Sequence, residues 1–551
     1  MAPFSLLASP WLPVRRRGGS RCLIRPAEIA ADFSRDPIVA FAWGRPDFDA
    51  ASREFMIGLL ATAFAPADGR AFLTFWHDPP DAVQLDAAFT PFARAFLLDD
   101  NGPRFAQDHD PLTDAEETPV SALLIEAPGA NTIKENKDLF QKRGQIEHLS
   151  RAAAAMALFT LQCYAPSGGA GHRVSLRGGG PLTTLVAPSD ATPELWRLLW
   201  LNTLQSRRDY PPAQEALDRI FPWLAPTITS EGKPPATVSP RGSHILQAFW
   251  GMPRRIRLVF APNSDGRACP ITGVVDDVSV TGFRTRPYGV SYHESFEHPL
   301  SPYYSPKGKG DWLPVHPQPG GILYRDWPAV AGAPDEKERL AAIVAGATTR
   351  LRALGDFGEA RLLASGFDMD NMKARGFVET EMPVFLFAET VAEEDAEIFQ
   401  QAARSFVEAA ELAASAMGIA IRTALAGARA DGKATPFSAL RENFFLSTQD
   451  PFFDTLRELS HRFAAGEDPE LLRASLGEKW LGALRKTSVS TFDSHVDPLD
   501  LPQHVMERAV DARGHLVGAF FGHGALGRKI DAALGRAREP QKKSRKAGKA
   551  A

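Results

Sequence analysis

Two places in the chain carry side chains of the kind that hold a divalent metal. His109 and Asp110 stand together in the polar stretch from Gln107 to Pro111, and Asp368 and Asp370 lie two apart in Ser365-Gly-Phe-Asp-Met-Asp-Asn-Met-Lys-Ala374. Brought onto one ion, they would make a metal-dependent nuclease or hydrolase. No further His or Asp partner can be placed beside them, and acids in loops are usually just solvated. His172 and Ser175 are too close in sequence, and too unsupported, for a base and its nucleophile. Neither H-E-x-x-H nor G-x-S-x-G occurs. Cys22, Cys163 and Cys269 are far apart and form no C-x-x-C, which supports neither a disulfide framework nor a cysteine zinc site and fits a reducing cytoplasm. The expectation is a protein that is not an enzyme and needs no cofactor.

A different chemistry is open to the stretch from Pro166 to Val186, which holds two glycine clusters, Gly168/Gly169/Gly171 and Gly178/Gly179/Gly180, with Arg173 and Arg177 as its only charges. Glycine lacks a Cβ, so such a loop can take positive φ and lie with bare backbone against another molecule. It is not a phosphate-cradling P-loop, because no G-x-x-x-x-G-K-[ST] occurs. It is not a dinucleotide fingerprint either, because the order is helix, glycines, strand. A close-approach surface for an unnamed partner and a mobile surface linker both remain open.

The elements that must position these residues follow from periodicity. An Ala-rich helix is predicted from Arg151 to Tyr164 and a strand from Leu182 to Val186. Upstream, residues 4–14 read as extended, anchored by Trp11, and Arg15-Arg-Arg-Gly-Gly19 as a basic hairpin turn. Helices are expected over Ala50–Phe64, Ala82–Leu97 and 335–354, and strands over Arg255–Phe260, Gly273–Val280 and Gly289–Tyr292. Thr281-Gly-Phe-Arg-Thr-Arg-Pro287 reads as a basic turn reaching outward. Asn131 to His148, with Lys134, Lys137, Lys142 and Arg143, reads as a solvated loop, or as one that orders on an RNA or protein partner. From about Val391 the apolar residues recur at helical spacing in four segments, as an antiparallel four-helix bundle requires.

Length and composition set the frame. A chain of 551 residues should divide into at least two domains, and 44% apolar with 23% charged residues is ordinary for a soluble globular protein. The expected fold class is α+β: a mixed domain over 1–385, a four-helix bundle over 386–538 and a disordered basic tail over 539–551. With 62 basic against 66 acidic residues the net charge is −4, so contact with nucleic acid must be local, or partners must bring the charge. Pro10, Pro13 and Arg15–Arg17 cut the first apolar run short of a signal peptide, and no run reaches membrane-spanning length, so the expected address is the cytoplasm, without membrane contact.

Taken in order, several pieces resemble the CasA family, large subunits of the type I-E CRISPR surveillance complex Cascade. They are Phe4-Ser-Leu-Leu with Pro10-Trp-Leu-Pro-Val14, Gly168 to Thr184, Phe249-Trp-Gly-Met-Pro-Arg-Arg-Ile-Arg-Leu258, His298-Pro-Leu-Ser-Pro-Tyr-Tyr304, and Gly366-Phe-Asp-Met-Asp-Asn-Met-Lys-Ala-Arg375. The resemblance implies a non-catalytic subunit that holds the 5′ end of the guide RNA and works with the other Cascade subunits. It implies recognition of the short motif flanking a double-stranded DNA target, initiation of strand separation and R-loop formation, and a landing surface for a separate helicase–nuclease. The family's glycine loop maps onto Gly168, Gly169, Ala170 and Gly171, and its wedge onto Asp370, Asn371, Met372 and Lys373. Its basic finger maps onto Arg284 or Arg286, and its guide-RNA-facing loop onto Asn131 to His148. A minor groove reached by bare backbone is read mainly as A·T against G·C, so several flanking motifs should be tolerated. A polar–apolar tip such as Asn371-Met372 can push between base pairs at a cost of about a few kcal/mol per step. Many relatives carry a cysteine cluster near the counterpart of Cys269; here Cys269 stands alone, so no metal is expected and packing should hold that region.

Overall fold

The structure, a computed structural model, describes residues 3–138, 143–169, 171–207, 209–307, 311–318, 320–332, 334–356, 358–370, 373–387, 393–426, 437–496 and 503–536. The order of elements begins β1 (Leu12–Arg16), β2 (Arg21–Ile24), β3 (Ile38–Phe41), α1 (Pro46–Ala63), α2 (Gly69–His77), α3 (Ala82–Phe89), β4 (Glu117–Pro119), α4 (Ala130–Lys134), β5 (Leu149–Ser150), α5 (Arg151–Tyr164) and β6 (Thr183–Ala187). It continues with α6 (Leu195–Leu201), α7 (Leu217–Ile220), β7 (Arg255–Pro262), β8 (Val278–Arg286), β9 (Tyr303–Tyr304), β10 (Leu313–Pro314), β11 (Glu338–Arg339), α8 (Ala342–Ala353), β12 (Gly358–Asp370) and β13 (Lys373–Leu386). The helices α9 (Glu393–Ala426), α10 (Phe437–Ala464), α11 (Pro469–His495), α12 (Gln503–Ala519) and α13 (Gly524–Ala533) close the chain.

The fold is α+β, with a mixed body followed by a helical bundle. Residues up to Ile322 and from Ala329 to Leu386 form one compact unit; Leu323–Pro328 and the chain from Phe387 onward form the other. At the centre of the first unit is α1. Pro46 at its start is preset for a helix, and Asp47 and Asp49 in the first turn face the positive end of the dipole. Its apolar residues run nearly all round, so it is buried nearly all round. Phe55 receives the rings of Trp11, Phe159, Trp250, Phe96 and Phe105 at 5.4 to 6.0 Å, all edge-on, the arrangement aromatic quadrupoles prefer.

Two sheets of this unit matter for function. In the first, β8 is central, with β7 along one edge and β5 and β4 along the other. Of the segment read as an outward basic turn, Thr281 to Pro287, all but Pro287 belongs to β8: Arg284 lies opposite Glu117 on β4 and Arg257 on β7. Gly282 marks a close approach rather than a turn, since a Cβ there would lie 2.7 Å from the Thr118 carbonyl oxygen. The second sheet has the order β13-β12-β6. Its hairpin, β12 with β13, pairs from Gly358↔Leu386 to Asp370↔Lys373, where the sequence predicts neither strand. The predicted strand at 289–292 is only a single bridge, Val238↔Tyr292, and the helix predicted from 335 starts at Ala342. The helix predicted to reach Leu97 ends at Phe89 and tightens to 3-10 through Phe96, because Pro91 cannot donate the next helical hydrogen bond.

In the second unit, α9 packs against each of the other four helices. The segment predicted as one last helix is two, broken after Ala519, with Gly522 and Gly524 at positive φ. Gly527 lets α13 fold back closely, since a Cβ there would lie 2.7 Å from the Ala519 carbonyl oxygen. Trp480 is fully buried, donates to the Phe406 carbonyl at 2.9 Å and meets the rings of Tyr324 and Phe452. Tyr324 comes from the short segment that joins this unit from far upstream, and it stacks on Phe452 at 4.4 Å. The basic tail, 539–551, lies outside the described residues. Trp480→Ala removes this anchor and should destabilise the helical unit by about 3–5 kcal/mol. A urea titration followed by helical circular dichroism would show the midpoint fall; an unchanged midpoint would mean the unit is held elsewhere.

Candidate nucleic-acid interface

The glycine stretch is built outward from one buried ion pair. Arg177, between the two clusters, reaches Glu54 on α1 with Nη2 to Oε1 at 2.6 Å, and both side chains are almost completely buried. Arg177 Nη1 also donates to the hydroxyls of Thr183 and Ser301, and Thr183 and Tyr164 hydroxyls reach the other Glu54 oxygen. Burial by itself pushes the guanidinium pKa down, but the carboxylate beside it holds it above its ordinary value. His298 completes the cluster with Nε2 3.5 Å from Glu54; burial and then Arg177 push its pKa well down, so it is neutral.

Around this anchor the loop has two lobes. The second, Gly178 to Gly180, is internal. Gly178 and Gly180 have φ of +80° and +63°. A Cβ on Gly178 would strike the His316 ring at 2.8 Å, and one on Gly180 would strike the Phe367 carbonyl oxygen at 2.6 Å and Met369 at 2.8 Å. The loop is thus pressed against the hairpin that carries the predicted wedge, and β6, which follows it, is that hairpin's third strand. The first lobe is at the surface: Gly168 and Gly169 are exposed, and Gly169 and Gly171 have φ of +65° and +85°. Two walls enclose it. A Cβ on Gly171 would lie 2.9 Å from the Tyr288 ring, and Tyr288 itself is held at φ +61°, its amide donating to the Gly171 carbonyl at 2.8 Å. A Cβ on Gly168 would lie 2.5 Å from Arg254 Nη1. Ala170 lies outside the described residues.

The other predicted residues divide clearly. Asp370 and Lys373 are the paired ends of β12 and β13; Asn371 and Met372 between them lie outside the described residues. Arg286 is ion-paired with Asp114, whereas Arg284 forms no ion pair among the described residues. In the basic loop, Lys134 ends α4, Lys137 pairs with Glu135, and Lys142 lies outside the described residues. Arg143 is occupied within its own loop: it holds Asp138 through two bonds of 2.6 Å and also donates to Ile133 O and Asn136 Oδ1.

The candidate metal ligands are not gathered. Asp368 is held by Arg375 in a two-bond pair of 2.6 and 3.0 Å, and Asp110 accepts from the Leu112 amide. Among the described residues no three His, Cys, Asp or Glu side chains converge on one point, so His109, Asp110, Asp368 and Asp370 do not share a site. The Ser175 hydroxyl donates to the Gly178 carbonyl at 2.5 Å and shapes the loop. Cys269 is buried in a tight turn, its amide bonded to Val274 O and its carbonyl to the Gly273 amide. Burial raises that thiol's pKa, but hydrogen bonds with Ser150 and Thr272 bring it below its ordinary value.

Three important residues are not evident from the sequence. Glu54 reads as one polar position of a helix, Tyr288 as a residue between a turn and a strand, and Arg254 as half of an Arg-Arg pair. Only Arg255 of that pair takes a carboxylate, Asp108, at 2.5 Å; Arg254 turns to the glycine loop and donates to the Pro166 carbonyl.

The class these features define is a two-unit α+β protein with a loop-built surface and, among the described residues, no metal-ligand cluster. A model of the CRISPR-associated protein Cse1 family matches residues 5–491. The fold is similar to that of Thermus thermophilus CasA, with 19% identity and a TM-score of 0.66 over 94% of this chain and 100% of that one. Thermobifida fusca Cse1 is similar at 18% identity and a TM-score of 0.68, over 97% of this chain and 99% of that one. A chain of a CRISPR RNA-guided surveillance complex is similar at 14% identity and a TM-score of 0.63, over 95% of this chain and 100% of that one. The chain belongs to the Cse1 family, the CasA large subunits of type I-E Cascade.

Two variants separate the roles of the glycines from that of their anchor. Glu54→Gln leaves Arg177 buried without its charge partner and should cost about 3–5 kcal/mol of stability in the first unit. Gly171→Ala meets both positive φ and the Tyr288 ring and should cost about 1–3 kcal/mol. Chemical denaturation of the purified chain would read both, and equal stability of Gly171→Ala and wild type would show that the wall gives way freely.

Proposed function

We propose that this chain is the non-catalytic subunit that recognises the motif flanking the target of an RNA-guided DNA surveillance complex and begins opening the duplex there. One observation carries the reading: two elements far from it in sequence meet the glycine loop. The exposed lobe abuts the end of β8 through Tyr288, and the internal lobe abuts the hairpin through Phe367 and Met369. A bare loop that enters a minor groove therefore sits beside a hairpin end able to part base pairs, and beside a basic strand able to take a phosphate.

In this reading Gly168, Gly169, Ala170 and Gly171 face the flanking motif, Asp370, Asn371, Met372 and Lys373 form the wedge, and guide pairing replaces the opened duplex in a nearly balanced exchange. Arg284 is the better finger of the two arginines, because Arg286 already has Asp114. The loop with Lys134, Lys137, Lys142 and Arg143 faces the guide RNA and the neighbouring subunits, and the opened complex offers its surface to a helicase–nuclease. The site of action is the cytoplasm; no helix among the described residues is long and apolar enough to cross a membrane.

The test is duplex binding by a reconstituted guide-RNA complex with and without this chain, on targets differing only in the flanking trinucleotide. Binding should require the chain and vary with the flank; a chain that neither joins the complex nor alters binding removes the reading. Within that assay, Asn371→Ala with Met372→Ala should slow strand opening roughly tenfold or more while initial capture changes much less. Equal loss of both steps would count against a wedge. Arg284→Ala should weaken binding on every flank alike and lower the salt slope by about one, with Arg286→Ala having the smaller effect.

A further inference from the structure

Among the described arginines of the first unit, Arg254 is half-buried and its charge is explained by no carboxylate. Three have pKa values pushed down to about 10, in each case by burial first. Arg350 caps the C-terminal end of α6 through the carbonyls of Trp200, Leu201 and Thr203, where a cation is favoured. Arg257 donates to the carbonyls of Asp108 and Gly102 and feels the charges of Asp108 and Asp110. Arg254 has no carboxylate partner among the described residues; its side chain donates to the single carbonyl of Pro166, and its Nε is buried without a partner. One carbonyl needs one donor, and a neutral amide would supply it without stripping water from a full charge.

The surroundings of Arg254 lack compensating charge as well. No Asp or Glu occurs between Arg151 and Ser189, so the whole glycine stretch is without an acid of its own. Arg173, on the same loop, is bonded to the hydroxyl and carbonyl of Ser230 and likewise has no carboxylate among the described residues. Arg254 is held in place from behind: the Gln162 side chain on α5 accepts from its amide and donates to its carbonyl, both at 3.0 Å. Nη1 faces the exposed Gly168 closely enough that a Cβ there would touch it. A planar fork with spare donors, partly desolvated and short of an anion, on a main chain held by Gln162, matches the geometry of a phosphate.

We propose that Arg254 is a phosphate-binding residue of the glycine loop, its guanidinium taking one backbone phosphate of the DNA duplex beside the flanking motif. The assignment rests on the flank-recognition reading above. The phosphate contact fixes how deep and in what register the bare lobe enters the groove, while carrying no sequence information itself.

The experiment uses the full reconstituted complex and duplex targets at several salt concentrations. Arg254→Gln keeps an amide donor for Pro166 but removes the charge; Arg254→Lys keeps the charge. Arg254→Gln should weaken binding roughly tenfold on every flank and lower the slope of log affinity against log salt by about one, with the ratio between flanks preserved. Arg254→Lys should keep the wild-type slope. A measurement without any variant accompanies these: in the wild-type complex, a neutral methylphosphonate replacing each flanking phosphate in turn should reveal one position where affinity falls by a similar factor. An unchanged salt slope in Arg254→Gln, with altered discrimination between flanks, would make Arg254 a brace for the loop and overturn the proposal. So would a methylphosphonate series with no sensitive position, even if Arg254→Gln fails to fold or to join the complex. If wild-type binding ignores the flank altogether, the reading of the glycine loop has failed and this assignment falls with it; flank-dependent binding with no sensitive phosphate fails the assignment alone.

Discussion

The arrangement of the first unit turns on one desolvated contact, Arg177 to Glu54 at 2.6 Å. Such a pair is a poor source of net stability, because taking both charges out of water offsets most of what their attraction returns. What it does supply is position. Glu54 lies on the helix around which the aromatic core is packed, and Arg177 lies between the two glycine clusters, so the pair ties one point of the loop to the buried centre of the unit. Thr183, Ser301 and Tyr164 add hydrogen bonds to both partners, which narrows the placements the pair can take. From that point one lobe runs inward to the hairpin and the other outward to the surface.

The sequence makes the local elements visible and leaves most of the long-range ones hidden. The helix from Arg151 to Tyr164 and the strand after the glycines are legible because their periods are clean and their ends are marked. The long hairpin from Gly358 to Leu386 is not, because Arg361, Glu379 and Glu381 interrupt its alternation and a bulge at Asp368/Met369 shifts its faces. Thr281 to Arg286 looks like a turn for a related reason: Gly282 is there to admit the neighbouring strand β4, and a single sequence cannot tell a close approach from a bend. Glu54 is the extreme case. Its partner lies 123 residues further on, so nothing local distinguishes it from a solvated position on a helix. The candidate recognition residues became legible through the order of weak motifs, while the side chains that enclose them, Tyr288 and Arg254, did not, because their role exists only in three dimensions.

A glycine-rich stretch taken alone can be either a mobile linker or a surface for close approach, and the packing of its described residues speaks against the first. Gly168, Gly171, Gly178 and Gly180 each occupy a place where a Cβ would strike the protein's own atoms, so their bareness is first of all a requirement of the fold. The loop is also tied by backbone hydrogen bonds to Tyr164, Ala165 and Tyr288. The described residues of the loop are therefore ordered by the fold itself, and a partner need not supply the free energy of ordering them. That order sets the kind of selectivity available under the flank-recognition reading. An edge built of residues without polar side chains, Gly168, Gly169, Ala170 and Gly171, responds to how wide a groove is and how easily it opens, both of which vary with sequence. Under that reading, tolerance of several flanking motifs goes with the packing of Gly168 and Gly171, whose lack of a side chain is already required by Arg254 and Tyr288.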